Sequence, residues 1–237
     1  MRLKKYDLTE VQKQLLTKGV RAALSIPLID SLEDFIWEGI FCYTKQIDFV
    51  DPLLGIRSKR LFDVVDNINK IGWSAKAIQW NMKEGSEFEL VIQRADIFKK
   101  RVALGFPTID MNSPPNDIGA ALLRHWKIKV SEDATIQKVS DKRVCILIKN
   151  VTNTKFAYFE DELKIYTPYE LSWKWTDGTK TGLQGIRKSD NFCIYRWYPN
   201  QKQFFERFKF EKGNFIFEIE PKRIGLNEVI DLLNKKI

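Results

Sequence analysis

The spacing of apolar side chains predicts helices near both ends of the chain. Residues 6–24 and 28–46 repeat apolar positions with the period of an amphipathic helix. In the second of these helices, Asp30 is expected as the N-cap and Glu33 as the N3 residue of a capping box. Residues 225–236 have the same periodicity, so a further amphipathic helix is expected there.

Three short runs after the first two helices have the character of β-strands. Residues 60–65 and 73–80 are rich in apolar and β-branched side chains and flank the turn-like segment 66–72. A third run, residues 88–93, follows another turn-like segment. The pattern predicts three consecutive antiparallel strands in one sheet.

The second half of the chain predicts more strands and one more helix. Residues 143–150 form a continuous apolar run typical of a buried strand, and residues 155–166 alternate as its neighbour would. Asp177 and Gly178 are expected to form the two-residue turn of a hairpin. The other predicted elements are a helix capped near Asn116 and strands at residues 192–197 and 214–220.

Together these elements predict the α/β class in its mixed α+β form, with a central mixed β-sheet flanked by helices. We expect a single domain over residues 1–237. Within it, residues 1–110 would hold the N-terminal helices and the first strands, and residues 111–237 would complete the sheet.

The composition favours a folded protein with a polyanionic partner. The 237 residues are 44% hydrophobic and 13% aromatic, enough for a substantial core. The 39 Lys and Arg residues exceed the 31 Asp and Glu residues, which gives a net charge of +8. No apolar run has the length of a membrane span, and the first residues lack the apolar region of a signal peptide. We therefore expect a soluble protein of the prokaryotic cytoplasm.

Cysteine and histidine content excludes several kinds of site. The three cysteines, Cys42, Cys145 and Cys193, are far apart and odd in number, so they predict neither a disulfide framework nor a zinc knuckle. His125 is the single histidine, which argues against His-rich metal sites and against hydrolases with a catalytic histidine. Glycine-rich phosphate-binding loops are also absent from the sequence.

Four polar residues on the first predicted strands could carry chemistry together. If the strands form a meander, Asp63 lies opposite Lys76, with Ser74 on the same face and Glu89 on the next strand. Carboxylates and retained waters are the ligands that Mg²⁺ prefers, so Asp63 and Glu89 are the candidate metal ligands. Lys76 could position an attacking water or stabilise charge on a phosphate.

Alternatives remain open at this candidate site. A different register would exchange Asp63 for Asp66, and Glu87 shares a strand face with Glu89. A competing acid-x-lysine pattern occurs at Glu162 and Lys164, with Asp141 upstream. A plain surface hairpin with solvated charges would also fit the spacing.

The order Asp63, Ser74-x-Lys76 and then Glu89 resembles the PD-(D/E)XK nuclease superfamily. It is similar in particular to type II restriction endonucleases in which serine replaces the usual acid and the glutamate comes from further along. The resemblance covers mainly residues 57–96 and, more loosely, residues 171–208. It departs from the family pattern because no proline precedes Asp63 or Asp66.

The resemblance implies a mixed sheet flanked by helices and Mg²⁺-dependent cleavage of double-stranded DNA without a covalent intermediate. It also implies that an N-terminal helix lends an acid to the metal site, and Glu38 is the candidate here. Asp63, Ser74, Lys76 and Glu89 would then be the catalytic residues, and Asp63, Glu89 and Glu38 the metal ligands.

The C-terminal third has the composition expected of a DNA-binding surface. Residues 171–213 hold nine basic residues against four acidic ones, together with ten aromatic residues. A hairpin in this region is narrow enough to enter a major groove. The candidate DNA contacts are Lys174, Lys180, Gln184, Arg187, Lys188 and Arg196.

Two functions from different classes follow. The first is a sequence-specific double-stranded DNA endonuclease of type II restriction character. It would use Mg²⁺, act as a homodimer on a symmetric site and belong to a system with a cognate DNA methyltransferase. The second is a non-catalytic nucleic-acid-binding protein that uses the basic, aromatic C-terminal third.

Overall fold

The computed structural model describes residues 6–49, 60–211 and 215–235 of the chain. Its helices are α1 (Glu10–Ser25), α2 (Asp34–Lys45), α3 (Ile97–Lys100), α4 (Pro115–Ile136) and α5 (Leu226–Asn234). Its strands are β1 (Val64–Asp66), β2 (Ile71–Gln79), β3 (Glu87–Arg94), β4 (Asp141–Lys149), β5 (Lys155–Glu162), β6 (Leu171–Trp175), β7 (Leu183–Arg187), β8 (Cys193–Tyr198), β9 (Gln203–Lys209) and β10 (Phe215–Glu218). The predicted mixed α+β class is confirmed. Among the described helices, none combines the length and apolarity that crossing a bilayer requires.

The contacts divide the chain into two compact units, and each unit is assembled from separate segments. Unit 1 comprises residues 1–83, 134–163 and 211–237, and unit 2 comprises residues 84–133 and 164–210. The division does not follow the expected boundary at residue 110. The chain instead passes between the units four times.

Unit 1 holds a five-stranded sheet of mixed direction. Its strand order is β1-β2-β4-β5-β10. β1 and β2 are antiparallel, β2 and β4 are parallel, and β4 and β5 are antiparallel. The pairing of the two apolar runs in β4 and β5 is therefore confirmed. Parallel neighbours require a long crossover, so the segment between β2 and β4 is long enough to include α4 and the first strand of unit 2.

Helices α1 and α2 cover one face of this sheet. α1 begins with a capping box in which Thr9 and Gln12 bind each other's backbone N–H groups. Leu16 of α1 and Trp37 and Phe41 of α2 are fully buried in the core on this face. The amphipathic patterns of both helices are thus explained by a single apolar layer.

The predicted start of α2 is wrong. The helix begins at Asp34, and its N-cap is Glu33 rather than Asp30. The carboxylate of Asp30 instead accepts a hydrogen bond from Arg223 at 2.9 Å. Asp30, which the local pattern predicted as a helix cap, thus forms a long-range ion pair with Arg223 instead.

The register of the β1–β2 pair also differs from the prediction. The predicted pairing of Asp63 with Lys76 would put Asp66 opposite Trp73, but Trp73 lies opposite Val64 and Asp66 lies opposite Ile71. The carboxylate of Asp66 binds the N–H groups of Ile68 and Asn69, both at 2.9 Å, and so closes a tighter turn than expected. Asp63 lies immediately before Val64, the first residue of β1.

Unit 2 holds a second five-stranded sheet, which is antiparallel throughout. Its strand order is β3-β9-β8-β7-β6. The expectation that β3 continues the β1–β2 meander is wrong, because β3 pairs with β9 in this second sheet. The alternating pattern of residues 88–93 predicted a strand correctly but carried no information about its partner.

One face of the second sheet packs on α4. Trp173, Tyr195 and Phe204 lie on this face and are almost completely buried. A Cβ atom on Gly119 of α4 would lie 2.4 Å from the ring of Trp173, so this glycine permits the close approach of helix and sheet. The helix starts at Pro115, and Asn116 uses its side chain to accept from the N–H of Trp173 rather than to cap the helix.

The β6–β7 hairpin has a longer connection than predicted. β6 ends at Trp175 and β7 begins at Leu183, so the two-residue turn expected at Asp177 and Gly178 is wrong. The carboxylate of Asp177 organises the connection by accepting from the N–H groups of Thr179 and Thr181. These side-chain-to-backbone bonds replace a tight turn.

Candidate active site

The candidate site lies at the edge of β2 that continues past the end of β1. β1 pairs with β2 only as far as Trp73. Beyond that point, the N–H of Ala75 donates to Asp63 Oδ2 at 2.9 Å and the N–H of Ala77 donates to Asp34 Oδ1 at 2.8 Å. Two carboxylates thus take the hydrogen bonds that a longer β1 would have taken.

Lys76 lies beside this edge and is held by it. Its Nζ donates to Asp63 Oδ2 and to the carbonyl oxygen of Ala75, both at 2.9 Å. The side chains of Lys76 and Asp63 are 28% and 15% exposed, so the pair is largely but not fully removed from solvent. A bound molecule could still reach it.

Burial and charge set the protonation of this pair. Burial raises the pKa of the Asp63 carboxyl above its ordinary value, and Lys76 offsets this effect only in part. Burial lowers the pKa of Lys76, but the carboxylate of Asp63, together with the acids of α2, outweighs it and raises that pKa. Lys76 is therefore a cation throughout the physiological pH range.

The helix α2 brings two acids towards the same place. Asp34 and Glu38 are one turn apart, so their side chains lie on one face of the helix. Asp34 is exposed and acts electrostatically on both Asp63 and Lys76, while Glu38 is 5% exposed and acts on Lys76. Glu38 is the acid that the resemblance implies, whereas Asp34 is not among the candidates drawn from the sequence. The spacing of four residues between the two acids was the signal that could have found it.

Ser74 occupies the same strand two residues before Lys76. Alternation along β2 puts both side chains on one face of the sheet, as expected. Ser74 is 7% exposed. With a hydroxyl at this position, β2 offers no carboxylate two residues before Lys76.

The positions of the other candidate acids distinguish the alternatives that the sequence leaves open. Asp66 is occupied by the β1–β2 turn, so Asp63 is the aspartate at Lys76. In the competing pattern, Asp141 pairs with Arg143, and Lys164 pairs with Glu170 at 3.1 Å. Asp141 and Lys164 of the competing pattern thus each have an ion-pair partner of their own.

The predicted position of Glu89 on a strand next to β2 is wrong. Glu89 belongs to β3 in the sheet of unit 2, where its carboxylate lies 3.3 Å from Arg196 and 3.8 Å from Arg207. It also accepts from the hydroxyl of Tyr198 at 3.3 Å. Glu87, its alternative, pairs with Arg207 at 2.6 Å. The assignment failed because strand alternation cannot specify the sheet to which a strand belongs.

The predicted DNA contacts differ in their surroundings. Lys180 donates to the carbonyl oxygen of Met111 at 2.7 Å, and Arg187 binds Asp190 and Tyr166, so both have intramolecular partners. Lys188 is exposed in the turn after β7. Lys174, Gln184 and Arg196 are directly opposed across β6, β7 and β8. These three residues form one continuous row.

The donor set of the site suits magnesium better than a fully enclosed metal. Within residues 6–49, 60–211 and 215–235, no three His, Cys, Asp or Glu side chains are grouped so that they could hold a metal ion. Mg²⁺ commonly uses only one or two carboxylates and keeps waters in its other positions. Asp63 with an acid of α2 fits that requirement, whereas zinc would need more ligands.

No protein-family model, no curated protein and no solved structure matches this chain significantly. The function must therefore be argued from the residues themselves.

Proposed function

We propose that this protein is a Mg²⁺-dependent double-stranded DNA endonuclease of type II restriction character, acting in the prokaryotic cytoplasm. The observation that carries the proposal is the shared oxygen Asp63 Oδ2, which binds both the Ala75 N–H and the Lys76 ammonium at the open edge of β2. An acid, a cation and nearby helix carboxylates are the groups that metal-assisted phosphodiester hydrolysis needs.

Asp63 and Glu38 are the proposed metal ligands in this chain. Bound Mg²⁺ would lower the pKa of a coordinated water and offset charge on the phosphate. Asp34 keeps the N–H of Ala77 satisfied and so fixes the strand edge on which Lys76 stands. It also adds negative charge close to Asp63, which favours a divalent cation there.

Lys76 acts as a cation and not as a base. Its raised pKa keeps the ammonium protonated, so it donates hydrogen bonds but does not remove a proton from water. The ammonium can stabilise the charge that develops on a phosphate oxygen, and Asp63 holds it in position before substrate arrives.

The same proposal includes two partners. Cleavage of both strands of a symmetric site suits a homodimer with one active site per strand. A nuclease of this specificity requires a cognate DNA methyltransferase that protects the DNA of the same cell.

The second candidate is a non-catalytic nucleic-acid-binding protein. It is favoured by the basic row of Lys174 and Arg196 in unit 2, together with the small number of carboxylates at the edge of β2. In that case the Asp63–Lys76 pair would only close the free strand edge.

Cleavage of supercoiled plasmid separates the two candidates. Purified protein with Mg²⁺ is expected to give discrete fragments, and chelation with EDTA is expected to stop cleavage. Lys76→Ala and Asp63→Asn should each lower the rate by about 100-fold or more, because each removes a group acting on the developing charge. Lys142→Ala, on the neighbouring strand β4, is the matched control and should cleave like the original protein. Protein that binds the plasmid but leaves it intact under these conditions would rule out the nuclease and favour the second candidate.

A further inference from the structure

The sheet of unit 2 has one buried face and one face open to solvent. Trp173, Tyr195 and Trp197 belong to the buried face. The opposite face begins with a row of directly opposed residues, one on each strand. In order across the sheet, the row consists of Lys174, Gln184, Arg196, Phe205 and Val91. Lys174 is exposed and Val91 is 41% exposed, so both ends of the row are accessible. We call this surface the open face.

The open face has more cations than anions. Beside the row, Arg207 lies opposite Glu89, and Lys209 lies opposite Glu87. By the same pairing, the face carries five basic side chains, Lys174, Arg196, Arg207, Lys209 and Arg94, which lies opposite Gln203, against the two glutamates. Its aromatic residues are Phe205 and Tyr198, whose rings meet edge to face.

Glu89 holds Arg196, and Arg207 is held by Glu87 at 2.6 Å. Glu89 lies between Arg196 and Arg207, at 3.3 Å from one guanidinium and 3.8 Å from the other. Tyr198 supports the arrangement, because its hydroxyl accepts from Arg196 at 3.0 Å and donates to Glu89. The side chains of all three charged residues are partly exposed, so solvent screens these pairs and each contributes little.

A phosphate group can replace Glu89 as the partner of Arg196. Arginine forms strong, paired hydrogen bonds with phosphate, and both guanidinium-bearing side chains are partly exposed. Adjacent strands lie about 4.8 Å apart, so the full row extends for roughly 19 Å, the length of between five and six base pairs. The charge and the length of the open face therefore complement a duplex DNA backbone.

We propose that the open face is the surface on which this protein binds the phosphate backbone of duplex DNA, and that Glu89 is an intramolecular competitor of phosphate on Arg196. The proposal deepens the proposed function, because it names the surface that would hold the substrate. It also assigns Glu89 a role different from metal binding.

Binding is measured with a fluorescent 30-base-pair duplex at several salt concentrations. The Lys76→Ala background prevents cleavage during the measurement. Lys174→Ala and Arg196→Ala should each weaken binding and lower the slope of log affinity against log salt by about 1, since each removes one phosphate contact. Glu89→Gln should strengthen binding by roughly threefold to tenfold at low salt, because it frees Arg196 and removes a negative charge beside Arg207, which stays paired with Glu87.

Lys202→Ala is the matched control. Lys202 is an exposed lysine of the same unit that pairs with Asp96 and lies in the β8–β9 connection, outside the row. Its loss should leave the salt slope unchanged. An equal loss of affinity in Lys202→Ala and Lys174→Ala would overturn the proposal, because total charge rather than the open face would then govern binding. Unchanged or weaker binding by Glu89→Gln would overturn the role of Glu89. Lys174 is exposed, so its replacement tests the surface without disturbing the fold.

Plasmid cleavage by the protein with Lys76 intact distinguishes failure of the DNA-binding surface from failure of the proposed nuclease activity. If the protein cleaves DNA with Mg²⁺ but the open-face variants bind DNA as the original protein does, the nuclease proposal is supported and the assignment of the DNA-binding surface is wrong. Salt-dependent binding through the open face by a protein that never cleaves would support the surface and overturn the nuclease. Binding of a single-stranded oligonucleotide in preference to the duplex would also overturn the choice of duplex DNA.

Discussion

At the scale of single residues, the candidate site depends on which aspartate meets Lys76. Asp63 and Asp66 have similar surroundings in the sequence, and both are three residues or fewer from the predicted turn. The difference arises from register: pairing of Val64 with Trp73 leaves Asp63 free to reach the Ala75 N–H and Lys76, whereas Asp66 is used by the turn. A two-residue shift in strand pairing thus decided which carboxylate serves the site.

Replacement of Lys76 should destabilise the fold in a way that depends on pH. The Asp63 pKa is already raised by burial, and loss of Lys76 removes the cation that offsets this effect. A carboxyl whose folded pKa lies above its unfolded value favours folding below the unfolded pKa, and this contribution is lost as pH rises through the folded pKa. Lys76→Ala should therefore lose about 2 kcal/mol of unfolding free energy at pH 7, and less as the pH falls towards 5.

Urea unfolding at the two pH values measures this effect. Lys142→Ala, whose side chain only donates to the Ser140 carbonyl oxygen at 3.5 Å, serves as the control and should differ from the original protein equally at both. A deficit in Lys76→Ala that does not change with pH would contradict the explanation by Asp63.

At the scale of elements, a buried carboxylate joins α2 to three strands of unit 1. The Glu160 side chain of β5 has no solvent exposure, and it accepts from Lys45, Trp73, Arg143 and Tyr158. Burial alone would raise the Glu160 pKa, but Lys45 and the hydrogen bonds outweigh it, so the pKa is lowered. The charge of Glu160 therefore stabilises this packing above its unfolded pKa, and the stabilisation is lost as pH falls through the folded pKa.

Glu160→Gln should lower the unfolding free energy by about 3–5 kcal/mol at pH 7, because it leaves the largely buried cation Lys45 without its carboxylate and Arg143 with Asp141 alone. Glu162→Gln, an exposed position on the same strand, is the control and should change stability by less than about 0.5 kcal/mol. Chemical denaturation measures both. Equal midpoints in the two variants would refute the assigned role of Glu160.

The contact between α4 and the second sheet also belongs to this scale. In Gly119→Ala, the new Cβ would meet the Trp173 ring at 2.4 Å, and overpacking should cost about 1–3 kcal/mol. Gly39→Ala in α2 is the matched control, since its Cβ would lie 3.7 Å from Phe49, an ordinary contact. Alanine should there stabilise the helix by up to about 1 kcal/mol. Thermal unfolding of both variants should show shifts of opposite sign, and shifts of the same sign would contradict the Gly119 assignment.

At the scale of the whole molecule, neither unit corresponds to one continuous segment. Residues 84–210 contain all of unit 2, but they also contain β4 and β5 of unit 1. In the intact chain, β4 pairs with β2 and β5 pairs with β10, and both partners lie outside this segment. Ile146 and Leu147 of β4 are fully buried in the complete protein.

A fragment of residues 84–210 should therefore not fold as a stable monomer. The unpaired edges of β4 and β5 and their apolar side chains would be exposed, which favours aggregation. Far-UV circular dichroism and size-exclusion chromatography of the fragment, compared with the full chain, measure this. A monomeric fragment with a cooperative unfolding transition would show that unit 2 folds without the rest of unit 1.

The sequence by itself determined most local structure of this protein. Apolar periodicity located α1, α2 and the runs of β4 and β5, because a buried face imposes its spacing on every element that it covers. The mixed class followed from the same patterns. The grouping of Asp63, Ser74 and Lys76 could also be predicted from the sequence. Asp63 directly precedes β1, and Ser74 and Lys76 lie on β2, which a short turn joins to β1.

Only the tertiary structure decided the partners of these elements. The sheet that receives β3, the acid that α2 brings to Lys76, and the arginines that hold Glu89 all depend on contacts between residues distant in sequence. Alternation along a strand specifies which side chains share a face, but it does not specify the neighbouring strand. For that physical reason the sequence placed Glu89 beside Lys76, and the fold placed it among the cations of the open face.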